Sequence, residues 1–146
     1  MRRPAAAVLL CLALSGCSQG FVGARDYARV ADCYAAFFSA HMDALDPSLS
    51  LSNEQISQAE LITMQGVNRM TPYIVEAKKS AGGDRKFLQL VAAWRKRPEF
   101  SVALASTPKA KAMVYESVLD EAEGCHKTMD RWGVTDGAKK AASAPK

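Results

Sequence analysis

The chain has 146 residues, 49% of them apolar, and a formal charge of +4. That is enough for one domain with a single core, and the middle is too apolar to stay unfolded. The charge falls to about +2 once Arg2 and Arg3 are set aside, too mild to point to nucleic acid or to an anionic substrate.

Arg2 and Arg3 precede a short apolar run, Ala5 to Leu14, and small residues then lead into Cys17. The run is well short of the ~20 residues that a membrane-spanning helix needs, so it reads as an export signal. Its ending, Leu14-Ser15-Gly16-Cys17, resembles the lipobox of bacterial lipoprotein precursors at every position. The resemblance implies that residues 1–16 are removed as a signal peptide and that Cys17 carries diacylglycerol, with the bilayer as its partner. Residues 17–24 would form a lipidated tether. Position 18 is Ser18 and not the Asp that retains such proteins in the inner membrane, which favours a periplasm-facing place on the outer membrane.

From Arg25 to Leu45, residues at Tyr27, Val30, Ala31, Tyr34, Phe37, Phe38, His41 or Met42, and Leu45 recur in steps of three and four. That is the stripe of an amphipathic helix, and the remaining alanines read as helix formers. Asp46-Pro47 ends it, because the residue before proline is pushed out of the α region. Ser52 and Gln55 form a capping box that opens a second helix through Ile56, Ala59, Thr63, Val67 and Met70. Pro72 either kinks this helix or, with Thr71 as its cap, starts another. Gly82-Gly83 stops it. Asp84 reads as the next N-cap, ahead of a helix through Phe87, Leu88, Leu90, Val91 and Trp94 that closes at Arg95-Lys96-Arg97.

A short extra helix is expected near 98–106. Thr107-Pro108 then starts the last helix, with Val114, Tyr115, Val118, Leu119, Ala122, Cys125, His126, Met129 and Trp132 at helical spacing. Gly133 ends it, and residues 134–146 read as a disordered basic tail. No segment alternates as a strand would. The expected fold is therefore all-α, a four-helix up-down bundle over residues 25–133.

Cys11 leaves with the signal and Cys17 is committed to lipid, so Cys33 and Cys125 remain. In an exported chain a disulfide is their default fate. In an up-down bundle the first and last helices are antiparallel neighbours, and at 1.5 Å per residue the two cysteines fall within about 5 Å of the same height. The pair reads as a staple.

Candidate chemistry is thin. Ala122-Glu123-Gly124-Cys125-His126 is similar to the c-type haem attachment of the cytochromes c′, with Ala122 where the first cysteine belongs. That gives the alternative reading, a small-ligand or haem-binding bundle. His41 and His126 lie on apolar faces but towards opposite ends, about 15 Å apart by helix rise, too far to share a metal. Glu116, Asp120, Glu121 and Glu123 cluster on the last helix without a nucleophile, so they read as a solvated face. Ser48, Ser50 and Ser52 read as loop and cap residues. Lys78, Lys79, Arg85 and Lys86 flank the glycine turn, suited to helix ends or to anionic lipid. No nucleophile elbow, phosphate loop or dinucleotide fingerprint occurs. The expectation is a non-enzymatic, cofactor-free envelope lipoprotein that binds an envelope protein, with an immunity or inhibitor role belonging to the same class.

Overall fold

Local chemistry places most of the helix ends. The computed structural model describes residues 23–132, with side chains from residue 26 onward. Cys17, its lipobox and the segment 134–146 lie outside the described residues. Four helices follow in order: α1 (Gly23–Ala44), α2 (Asn53–Ala81), α3 (Asp84–Arg95) and α4 (Pro108–Arg131). No strand occurs among the described residues.

Ser52 caps α2 with the reciprocal box: its Oγ accepts from the Gln55 amide at 3.2 Å, and Gln55 accepts from the Ser52 amide at 2.9 Å. Thr107 caps α4 by accepting from the Ala110 amide at 3.1 Å, with Pro108 as the first helical residue. Asp46 ends the α1 region by accepting from the Ser48 amide and hydroxyl, at 2.8 and 2.6 Å, over a 3₁₀ turn at Pro47–Leu49. These hydrogen bonds, and then the Lys111 ammonium, hold the Asp46 carboxyl below the usual carboxylate range.

Two local expectations need correction, and of the two readings of Pro72 the one that starts a new helix is excluded. Asp84 is not the N-cap of α3; Gly83 is, and Asp84 is the first helical residue, 3.5 Å from Lys78 Nζ. The reason lies in the turn itself. Gly82 and Gly83 have φ of 90° and 112°, values an L side chain rarely adopts, and together they reverse the chain before Asp84 is reached. Pro72 neither ends α2 nor starts a new helix, for α2 runs unbroken for 29 residues with Pro72 inside. Beside it, the Thr71 hydroxyl donates to the Val67 carbonyl at 2.9 Å. Between 98 and 106 the chain makes two separate 3₁₀ turns, Pro98–Phe100 and Val102–Leu104. Phe100 stacks on Trp94, centroids 4.3 Å apart.

The fold is a four-helix bundle in up-down order. Phe37 meets Gly66, and Ala44 shares a cluster with Ala59, so α1 and α2 are antiparallel. Cys33 joins Cys125 and the Tyr115 hydroxyl donates to the Ala40 carbonyl, so α1 and α4 are antiparallel too. The packing is not a regular square. α3 and α4 each pack on both α1 and α2, while the turns at 98–104, and not α3, lie along α4. α1 is thus the axle, with α3 and α4 on opposite sides of the α1–α2 pair.

That position overturns the single stripe expected for α1. Cys33, Ala35, Ala36, Ser39 and Ala40 are buried alongside Val30, Ala31 and Phe37, because neighbours surround the helix. The alanines are core residues whose small size admits those neighbours, and not merely helix formers. Conversely, Phe38, Met42 and Leu45 are exposed. α3 has 12 residues, about 18 Å, and is too short to cover the lower half of α1. α2 comes close to α1 at Gly66, where a Cβ would stand 2.4 Å from the Phe37 ring.

Candidate functional site

The α1–α4 seam is built from the last helix's apolar stripe. Val118, Ala122, Cys125 and Met129 are fully buried against α1. Within it, Cys33 and Cys125 form a disulfide with Cα atoms 5.5 Å apart, and neither cysteine is exposed. The staple expected from the helix heights is present. Because Cys125 Sγ is bonded to Cys33 and sealed in the core, the Cys125-His126 pair does not fit a haem thioether attachment.

His126 lies one residue past the staple and faces α2. Its ring stands edge-on to Phe37, centroids 5.0 Å apart, and Arg69 Nη1 is 3.0 Å from its Nδ1. A guanidinium can only donate, so in this contact the imidazole nitrogen is the acceptor. The other arm of Arg69 holds Asp130. Arg69 carries this cluster and was not legible beforehand, since a lone arginine mid-helix has no signature of its partners. Among the described residues no group of three or more His, Cys, Asp and Glu is placed to hold a metal.

Below this cluster, α2 and α4 part into a shallow groove. One cavity of about 170 Å³ is lined by Ile62, Leu119, Asp120, Glu123 and His126. A second, of about 120 Å³, continues it past Ile62 and Leu119 to Gln58 and Tyr115. The floor is apolar, the α2 wall carries amides, and the α4 wall carries acids. The four carboxylates of α4 divide accordingly. Glu121 turns towards α1 and pairs with Arg29. Glu123 pairs with Lys127 at 2.9 Å, and that hydrogen bond, with the lysine charge behind it, holds its carboxyl below the usual range. Glu116 and Asp120, one turn apart and exposed, make no ion pair among the described residues.

None of the expected basic residues lines either cavity. Lys78 meets Asp84, Lys79 lies 4.0 Å from Glu76, and Arg97 lies 3.8 Å from Asp32. Arg95 stands over the Phe38 ring at 5.7 Å. The serines are turn and cap residues, Ser48 on Asp46 and Ser52 on Gln55. Among the described residues no helix is long and apolar enough to cross a membrane. Comparison with family models, with curated proteins and with solved structures finds no match.

Proposed function

We propose that this chain is a lipid-anchored envelope protein whose bundle works as a non-enzymatic interaction module at the membrane surface. The observation that carries the reading is Leu14-Ser15-Gly16-Cys17 placed six residues before α1 begins at Gly23. A tether of that length spans ~20 Å at most, which keeps the domain against the bilayer to which Cys17 attaches. The buried Cys33–Cys125 bond supports export, since such bonds persist in oxidising compartments. Ser18 favours the outer membrane.

Support for interaction comes from the surface: an open apolar groove with one acidic wall. An envelope protein partner is the occupant this favours, and inhibition or immunity is one use of such a surface. Metabolic labelling with an alkyne fatty acid tests the anchor. The wild type takes the label, and Cys17→Ala loses it and accumulates uncleaved precursor. Labelling that survives in Cys17→Ala overturns the reading.

A further inference from the structure

We infer that the α2–α4 groove receives a short cationic, amphipathic segment of a protein partner. The inference rests on the interaction-module reading and adds the chemistry of what is bound. Three observations carry it. Ile62 and Leu119 line both cavities, so the two form one apolar trough running from Tyr115 to His126. At 1.5 Å per residue that is about 16 Å, the reach of some five extended residues. Its charge is one-sided: Asp120 and Glu123 line it, Glu116 continues the same helical stripe, and the facing α2 residues Gln55, Gln58 and Ile62 are uncharged.

The third observation is which acids are already satisfied. Glu121 has Arg29, Asp130 has Arg69 and Glu123 has Lys127. Glu116 and Asp120 have no such partner among the described residues, so the groove edge carries two uncompensated negative charges. A leucine-sized side chain entering between Ile62 and Leu119 would leave flanking lysines or arginines beside those two carboxylates. A divalent ion is a poorer occupant, because no three ligands converge there among the described residues. None of the basic side chains around α3 lines either cavity.

The test uses the full chain in detergent and a labelled synthetic peptide of alternating leucine and lysine, followed by fluorescence anisotropy. Binding is expected, weakening as salt rises. The double variant Glu116→Gln, Asp120→Asn should lose about ten-fold or more in affinity, and Arg85→Gln, which lines neither cavity, should lose none. Gln58→Trp, which fills the trough without touching its charge, should also block binding. Equal binding of a leucine and glutamate peptide, or unchanged affinity in the double variant, overturns the inference. Tighter binding by Lys139→Ser, Lys140→Ser would assign the trough to the chain's own C-terminal lysines and overturn it as well. Failure here with Cys17 still labelled sinks the groove alone; loss of the Cys17 result sinks the anchored reading and leaves peptide binding to be judged separately.

Discussion

The two flanks of the α1–α2 pair are fastened by different physics. The α4 flank is held by a covalent bond, by the buried hydrogen bond from Tyr115 to the Ala40 carbonyl at 3.2 Å, and by the ion pairs of Glu121 and Lys111. The α3 flank is held by three buried side chains, Phe87, Val91 and Trp94, with Tyr34 edge-on to Phe87 at 6.1 Å. Its ion pairs, at 3.5 and 3.8 Å, are part-exposed, as is the 3.5 Å Lys111–Asp46 pair of the α4 flank, and pairs of that kind contribute about 0–1 kcal/mol. The difference separates roles. A stapled flank can present a groove of fixed shape, whereas α3 is held by packing alone and is the flank expected to lose protection first.

The largest expected effect breaks that asymmetry. Replacing both Cys33 and Cys125 by Ala releases a loop closed over 92 residues and should lower stability by about 4–5 kcal/mol in denaturant unfolding, with helicity retained. A loss below about 1 kcal/mol would mean that packing alone holds α4. The next acts on the other side. Trp94→Ala removes the largest buried side chain, also the stacking partner of Phe100, and should cost about 3–5 kcal/mol. Hydrogen exchange should show α3 amides losing protection before those of α4; simultaneous loss would make the flanks one cooperative unit.

A smaller effect falls on what both flanks share. Gly66→Ala drives a methyl group into the buried Phe37 ring and should cost about 1–3 kcal/mol, because the ring has nowhere to turn. Unaltered stability would show that α2 can draw back from α1 without loss.

The smallest concerns pH. Asp43 lies near Arg95, Asp46 and Tyr115, and burial pushes its carboxyl up to about 6, against the pull of Arg95. Since the folded state holds this proton more tightly than the unfolded one, Asp43 subtracts stability progressively as pH rises from about 4 through 6. Asp43→Asn should therefore stabilise the protein by about 1–2 kcal/mol at pH 8, allowing for its partial exposure, and by little at pH 4. A stabilisation equal at both pH values would put the effect in packing and not in charge.

Some of this molecule was legible residue by residue, and the boundary is physical. The caps at Ser52 and Thr107, the stop at Asp46-Pro47 and the glycine turn are decided within four or five residues, so their chemistry shows in the chain. The Cys33–Cys125 pairing was also within reach, because helix rise and antiparallel order fix relative heights whatever the side packing.

What only the tertiary structure decided depends on which direction each helix faces. Periodicity placed Phe38, Leu45 and either His41 or Met42 with the core of α1 and left Ala35, Ala36 and Ala40 as helix formers. The short α3 and the encircling turns at 98–104 reversed both assignments. Gly66 reads as a weak helix residue until Phe37 stands against it. Arg69 acquires its role only when α2 and α4 run parallel and bring His126 and Asp130 within reach. The four carboxylates of α4 are alike as a string of residues. Their division into satisfied and unsatisfied acids, and so the groove edge, follows from a rotation of α4 that long-range packing sets and no local spacing encodes.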